Sequence, residues 1–167
     1  MGCSMKKLLS LQFDPSNTDE YFHQLASSFK KGMWVHLIAP SIEKVDIQEN
    51  LLPKGPGIII ASSGSSGEAH QCLQPCINLN QSAFATSTWL KSQHIDPQDS
   101  LIINPLPIHH VSGLMPWWRS QVWEAQHQWI SPDLMRDPNK LNSLYKELSI
   151  KNTKPTLISL VPTQLRR

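Results

Sequence analysis

The sequence lacks long hydrophobic runs and carries little charge. No apolar run approaches the ~20 residues that a membrane-spanning helix needs, and Leu8-Leu9 is too short for the hydrophobic core of a secretion signal. Charged residues make up 17% of the 167 residues, and 15 basic against 13 acidic side chains give a net charge of +2. Nucleic-acid-binding proteins usually have a clear basic excess. We therefore expect one domain with a hydrophobic core, no membrane span and no nucleic-acid partner.

Cysteine is also scarce. The three cysteines, Cys3, Cys72 and Cys76, are an odd number and no signal peptide is visible, which indicates free thiols in a reducing compartment. The sequence therefore predicts a cytoplasmic protein. Cys72 and Cys76 have no histidine or cysteine partners at the spacing of zinc sites, so we interpret them as small apolar residues and predict no metal site.

One stretch combines six serines and glycines directly after a short apolar run. The run Ile58-Ile59-Ile60-Ala61 is bounded by glycine and proline and is typical of a buried strand. A loop of small residues after such a strand can direct its backbone N–H groups into one concavity that binds an anion. Hydroxyl groups can add hydrogen bonds or reach a phosphate-bound Mg²⁺. We interpret the stretch as a phosphate-binding loop formed by Ser62, Ser63, Gly64, Ser65, Ser66 and Gly67.

Other interpretations of this stretch compete with the phosphate loop. Serine and glycine repeats are also typical of flexible linkers, although a linker rarely follows three isoleucines directly. A Walker A loop is excluded because no lysine closes the stretch. A nucleophile elbow is excluded because Gly64 and Gly67 enclose two residues instead of three. On the loop alone, an ordinary turn remains an equal alternative.

The hydrophobic pattern predicts alternating strands and helices. Apolar side chains at i, i+3, i+4 and i+7 between Leu141 and Leu148 give the clearest helix. Further helices are predicted over residues 18–31, 80–93 and 114–124, and strands over residues 33–38, 57–61, 101–103, 128–130 and 157–161. This order predicts an α/β fold with a mostly parallel sheet flanked by helices. Sites in such sheets form beyond the carboxyl ends of strands, where the polar loops 62–70 and 104–113 are expected.

Three segments resemble signatures of the acyl-adenylate-forming ligase superfamily. Residues 62–70, S-S-G-S-S-G-E-A-H, resemble its phosphate-loop signature T-S-G-[ST]-T-G-x-P-K. Residues 106–114, L-P-I-H-H-V-S-G-L, resemble the next signature, L-P-[LM]-[FY]-H-x-x-G-L, at a matching spacing. Residues 158–165, I-S-L-V-P-T-Q-L, are similar to a segment of one branch, the o-succinylbenzoate–CoA ligases of menaquinone and phylloquinone synthesis.

The resemblance implies an incomplete N-terminal domain of the adenylate-forming ligase fold. Residues 1–56 carry no usable signature and form an N-terminal lead-in of helix and strand. Residues 57–167 form the partial AMP-binding domain. In this family a carboxylate attacks the α-phosphate of ATP·Mg²⁺, giving an acyl-adenylate and pyrophosphate, and the thiol of coenzyme A then displaces AMP. The implied co-substrates are therefore ATP with Mg²⁺, CoA and a small carboxylic acid.

The resemblance also assigns roles to individual residues. The serine and glycine loop with His70 would bind the nucleotide phosphates, because a ring of N–H and O–H donors stabilises the charge on the leaving pyrophosphate. His110 falls on the family's histidine beside the acyl pocket and the adenylate, and is the implied catalytic residue. Ser112, Gly113 and Arg119 are the implied substrate-binding residues. A guanidinium among tryptophans suits bidentate binding of a substrate carboxylate, and a cation–π contact is the alternative.

The sequence departs from the family pattern at two places. Ala69-His70 replaces the closing Pro-Lys, which weakens the positive charge of the loop because histidine is mostly neutral near pH 7. The motifs that follow V-P-T-Q-L in the family, including the C-terminal domain with its catalytic lysine, are not in the sequence. We therefore expect that the chain alone does not complete the reaction.

Two other functions compete with the ligase. A truncated, non-catalytic remnant or phosphate-binding module of the same family remains the alternative. A metallohydrolase using His109, His110 and His127 is disfavoured, because no aspartate or glutamate stands at ligand spacing.

Overall fold

Strands and helices alternate along the chain. The computed structural model describes residues 7–40, 42, 45–63, 69–151 and 155–165. The strands are β1 (Leu8–Gln12), β2 (Trp34–Ile38), β3 (Gly57–Ser63), β4 (Ala69–Pro75), β5 (Leu101–Asn104), β6 (Gln126–Trp129) and β7 (Thr156–Ile158). The α-helices are α1 (Thr18–Lys30), α2 (Cys76–Ser92), α3 (Val111–Trp123), α4 (Pro138–Lys151) and α5 (Pro162–Leu165).

The strands form two sheets, whereas the sequence pattern indicated one. The first sheet has the order β1-β2-β3-β4 and the second has the order β6-β5-β7. Neighbouring strands are parallel except for β3 and β4, which pair antiparallel over Gly57–Ser63 and Ala69–Pro75. The predicted α/β fold with mostly parallel sheets flanked by helices is therefore confirmed.

The described residues group into two compact units. Unit 1 contains the chain through Leu79 together with Ile108–His110, and unit 2 contains Asn80–Pro107 and the chain from Val111 onward. The first sheet lies in unit 1 and the second in unit 2. The boundary between the N-terminal lead-in (residues 1–56) and the partial AMP-binding domain (residues 57–167) stays a prediction.

Trp34 organises one face of the sheet in unit 1. All five residues of β2 are buried, and Trp34 forms a core cluster with Leu8 and Ile59. The indole N–H of Trp34 donates to the carbonyl oxygen of Pro53 at 3.0 Å. A Cβ atom at Gly57 would overlap the Trp34 ring, so the neighbouring strand needs glycine at this position.

β5 is the buried centre of the sheet in unit 2. All four of its residues are buried, as expected for a parallel strand covered on both faces. Ile102 packs with Leu90 and Trp123 on one face, and Ile103 packs with Ile130 on the other. The two faces of β5 are thus covered by different parts of unit 2.

Most predicted elements agree with the structure in type and differ at their ends. The helix predicted from residue 80 begins at Cys76, whose N–H donates to the carbonyl oxygen of Pro56 at 3.1 Å. The strand predicted over 157–161 is only Thr156–Ile158, because its pairing with β5 ends at Ile103. No helix in the described ranges is both long and apolar enough to cross a membrane.

β1 was not predicted from the sequence. Its five residues include a serine and a glutamine, so the apolar signal is short. The strand exists through its parallel pairing with β2, and the N–H of Trp34 donates to the carbonyl oxygen of Lys7 at 2.7 Å. This is a case in which tertiary pairing decides what the local pattern leaves open.

Candidate functional site

A small pocket lies in unit 1 beside the β3–β4 hairpin, and several polar side chains contribute to its largely apolar lining. It has a volume of about 40 Å³. Ala61 and Gln71, which face each other across the hairpin, form part of its lining together with His36 on β2. His109 and His110, from the loop before α3, complete the polar lining. The structure thus brings the histidine pair to the base of the serine and glycine loop.

Two polar atoms of this pocket are buried without a hydrogen-bond partner in the described part of the chain. They are Nδ1 of His109 and Oε1 of Gln71. Burial, and secondarily the neighbouring His110, lower the pKa of His109 from 6.5 to about 4. His109 is therefore neutral at pH 7, and its Nδ1 can donate or accept one hydrogen bond according to the tautomer.

The histidine pair is held by ring contacts. The rings of His109 and His110 have their centroids 4.5 Å apart, and the ring of Phe13 lies 6.4 Å from that of His109. Phe13 in turn contacts Tyr21 edge to face at 5.2 Å. His109 is half-buried, whereas His110 is exposed. His110 is thus the more accessible member of the pair for a ligand.

The size of the pocket limits what it can hold. A water molecule needs roughly 10–15 Å³ of such space, so about 40 Å³ holds a few water molecules or one polar group of a ligand. A whole nucleotide does not fit in this volume. The unpaired Nδ1 of His109 and Oε1 of Gln71 would each be satisfied by a single such polar group.

The predicted phosphate loop is the connection of the β3–β4 hairpin. Ser62 is paired with His70 and Ser63 with Ala69, and the hydroxyl of Ser62 donates to the carbonyl oxygen of His70 at 3.3 Å. Because side chains alternate along a strand, Ser62 and His70 lie on the face opposite to Ala61 and Gln71. Four further predicted phosphate-binding residues lie outside the described residues: Gly64, Ser65, Ser66 and Gly67.

The predicted substrate-binding residues lie on α3, in unit 2. Ser112 is exposed and Gly113 is buried. Arg119 is half-buried, and burial lowers the pKa of its guanidinium. Its Nε is buried and has no hydrogen-bond partner among the described residues. A half-buried cation of this kind loses hydration without gaining an anion from the described part of the chain.

A buried asparagine closes the loop between β5 and α3. The Nδ2 of Asn104 donates to the carbonyl oxygen of Gly113 at 2.8 Å and lies 3.3 Å from Nε2 of His127. Its Oδ1 accepts the N–H of Leu106 at 3.2 Å. Burial lowers the pKa of His127 from 6.5 to about 4, so that histidine is neutral at pH 7.

Within the described ranges, no group of three or more histidine, cysteine, aspartate or glutamate residues is arranged to hold a metal ion. His127 contacts Asn104, and it belongs to unit 2, whereas His109 and His110 belong to unit 1.

Sequence reasoning missed several residues that the structure makes prominent. Gln71 and His36 belong to no recognised motif, and only the pairing of β2, β3 and β4 brings them to the pocket. Asn104 could have been noticed as a polar residue that ends the apolar strand Leu101–Ile103 and precedes a proline. Its full burial was not visible in the sequence.

Solved structures with a similar fold include o-succinylbenzoate CoA synthetase (MenE) from Bacillus subtilis in complex with the acyl-adenylate intermediate OSB-AMP. The TM-score is 0.64 at 15% identity, over 97% of this chain and 50% of that chain. The same enzyme in complex with AMP gives a TM-score of 0.49 at 21% identity, over 94% and 37% of the two chains. ATP-bound MatB from Rhodopseudomonas palustris gives 0.37 at 20% identity, over 78% and 28%.

The first of these similarities shows the fold. The chain has the architecture of part of an adenylate-forming ligase, and it spans about half the length of that solved structure. The fold expected from the sequence resemblance is therefore confirmed. No protein-family model matches the chain, and no curated protein matches its sequence.

Proposed function

We propose that this chain is the carboxylate-activating part of an ATP-dependent acid–CoA ligase. The reaction is adenylation of a carboxylic acid by ATP·Mg²⁺ followed by transfer of the acyl group to CoA. The acid we propose is o-succinylbenzoate, an intermediate of menaquinone and phylloquinone synthesis. The proposal is supported by the three sequence signatures over residues 62–165 and by a fold that matches part of such an enzyme.

The observation that carries the proposal is the convergence of two of these signatures in unit 1. His109 and His110 come from the second signature and line the pocket with Ala61 and Gln71, which flank the first signature on either side of the hairpin. An acyl-adenylate joins an acyl group to a phosphate. It therefore needs an acyl-binding histidine next to a phosphate-binding loop.

The serine and glycine loop is the proposed phosphate site. Backbone N–H groups and hydroxyls of residues 62–67 would donate hydrogen bonds to the leaving pyrophosphate and stabilise its developing charge. Among the described residues, the hydroxyl of Ser62 is held by a 3.3 Å bond to a carbonyl, which is long for an O–H donor. It can therefore turn toward a phosphate at little cost. His70, in place of the family's lysine, would add positive charge only when protonated.

Arg119 is the proposed site for a carboxylate of the acid. Its half-buried guanidinium lacks an anionic partner among the described residues, and a carboxylate would satisfy it with two parallel hydrogen bonds. Ser112 and Gly113 precede it on the same helix and are proposed to line the same acyl site. His110 is the proposed catalytic residue.

The proposal is tested by titrating the purified chain with ATP and Mg²⁺ in a calorimeter. We expect a Kd of about 1 mM or tighter, and about tenfold weaker binding for each of the single variants Ser65→Ala and Ser66→Ala, because one lost hydrogen bond to a phosphate removes about 1.5 kcal/mol. Ser143→Ala, a serine on the exposed part of α4, is the matched control. Absence of ATP binding by the wild-type chain would contradict the proposal.

A second measurement separates the ligase from the alternative. Mixing the chain with a separately produced second half of an o-succinylbenzoate–CoA ligase is expected to give ATP- and CoA-dependent thioester formation, which His110→Ala abolishes. ATP binding without any turnover in this mixture would favour the phosphate-binding module instead.

The role of Arg119 is tested by binding of o-succinylbenzoate in the presence of AMP. Arg119→Gln is expected to abolish measurable binding. Arg119→Lys is expected to weaken it about tenfold, since lysine keeps the charge but loses the bidentate geometry. Unchanged binding in Arg119→Gln would remove this residue from the site and favour its cation–π interpretation.

A further inference from the structure

Asn104 has an unusual position for an amide side chain. It ends β5 and is fully buried, with an exposed fraction of 0%. A buried amide costs free energy unless all its polar atoms are hydrogen-bonded. Here Oδ1 accepts from Leu106, and Nδ2 donates to Gly113 and contacts His127. Both polar atoms of the Asn104 side chain therefore have partners, and these partners lie in different segments of the chain.

The partners fix the orientation of the amide. The N–H of Leu106 can only donate, so the atom facing it is the oxygen of Asn104. The carbonyl of Gly113 can only accept, so the atom facing it is the nitrogen. The second N–H of the amide then points to Nε2 of His127, which must accept. This assigns the neutral Nδ1–H tautomer to His127.

The ends of the loop also touch through their backbones. A Cβ atom at Gly113 would overlap the carbonyl group of Pro107 and lie 2.7 Å from the carbonyl oxygen of Leu106. Pro105 and Pro107 have fixed φ angles. The segment between them and Gly113 is thus a short loop whose two ends are joined by Asn104, and its middle is Ile108–His110.

We propose that Asn104 is a positioning residue that sets the conformation of the His109–His110 segment by clamping both ends of its loop. The consequence of this positioning for catalysis rests on the proposed function, in which His110 is the catalytic residue. A leucine or valine could fill the same buried space at the end of β5. It could not bond to Leu106 on one side of the loop and to Gly113 on the other.

The test is Asn104→Asp in the full chain, studied by NMR of the histidine side chains. The change preserves shape but removes both N–H donors, so the carbonyl of Gly113 and Nε2 of His127 would face an acceptor. We expect changed imidazole resonances for His109 and His110 and at least tenfold weaker binding of a non-hydrolysable sulfamate analogue of the o-succinylbenzoyl adenylate. Asn142→Asp, the same change at an exposed position of α4, should alter neither.

The outcomes separate positioning from a purely structural role. A lower melting temperature with unchanged His109 and His110 resonances would overturn the proposal. If the wild-type chain does not bind the analogue, the proposed function fails, but the imidazole resonances still decide the positioning role. Should Asn104→Asp not fold, Asn104→Leu fills the same buried space without the bonds to Leu106 and Gly113, and the same readouts apply: altered His109 and His110 resonances support the proposal and unchanged ones overturn it.

Discussion

The two units bury the centres of their sheets equally but differ at the sheet edges. β2 in unit 1 and β5 in unit 2 are buried along their whole lengths. In unit 1 the edge strand β4 is seven residues long and pairs with β3 along its entire length. In unit 2 the edge strand β7 has three residues, and Ile158 is 43% exposed.

The cavities described in the two units differ in volume. Unit 1 contains the pocket of about 40 Å³ with its histidines. Unit 2 has a cleft of about 460 Å³ between α4 and the β5–β7 edge, lined largely by apolar side chains such as Leu141, Leu144 and Ile158. Parallel strands are normally covered on both faces. In unit 2 the central strand β5 is fully buried, yet the cleft leaves part of the neighbouring strand β7 uncovered.

The largest expected effect comes from the buried sheet face of unit 1. Ile59→Ala removes a side chain with 1% exposure from the cluster with Trp34, and should cost about 2–5 kcal/mol. Urea unfolding followed by tryptophan fluorescence measures the loss, and amide hydrogen exchange shows whether β1–β4 lose protection before β5–β7. A loss below about 1 kcal/mol would contradict the packing described for this face.

Acid should weaken unit 2 through His127. Burial lowers the pKa of His127 from 6.5 to about 4. Between pH 6.5 and pH 4, the imidazole therefore binds a proton more readily in the unfolded chain than in the folded one. Stability is therefore complete above pH 6.5 and is lost as the pH falls toward 4, by about 3 kcal/mol in total. His109 shifts in the same direction, with a smaller effect because solvent reaches it.

The measurement is urea unfolding at pH 7, 5.5 and 4. His127→Gln is expected to flatten the pH dependence, whereas His23→Gln, at an exposed position of α1, should leave it unchanged. An equal slope in His127→Gln and wild type would show that His127 does not stay neutral in the folded chain.

A smaller effect is expected where backbones meet in unit 2. Gly113→Ala places a methyl group against the Pro107 carbonyl, and such overpacking costs about 1–3 kcal/mol. Loss of hydrogen-exchange protection should begin in the first turn of α3. Ser112→Ala is the matched control at the neighbouring exposed position. Equal stability of Gly113→Ala and wild type would show that the loop ends are not in contact.

The smallest effect is expected at the open edge of unit 2. Ile158→Ala should change the free energy of unfolding by less than about 1 kcal/mol, because much of the side chain is already in water. A loss as large as that of Ile59→Ala would mean that β7 is covered in solution, and the difference between the two units would disappear.

The sequence predicted the elements that have strong local patterns. The helices containing Leu25 and Leu144 and the strands containing Ile59 and Ile102 were recognised from apolar spacing alone. β1 was missed because it depends on β2 for its hydrogen bonds, and the last strand was predicted too long because its partner ends at Ile103. Strand limits are set by pairing, which single-sequence patterns do not contain.

For the candidate site, the motifs indicated which residues to examine but not how they meet. His110 and the loop beginning at Ser62 came from the sequence, and their roles stay predictions. The sequence alone identified these two candidates, since small residues after an apolar strand and a pair of adjacent histidines are local features of the chain. Only the tertiary structure decided that Gln71 and His109 share a pocket and that Asn104 joins the two ends of a loop. Those contacts arise from strand register and from burial, which depend on residues far apart in the chain.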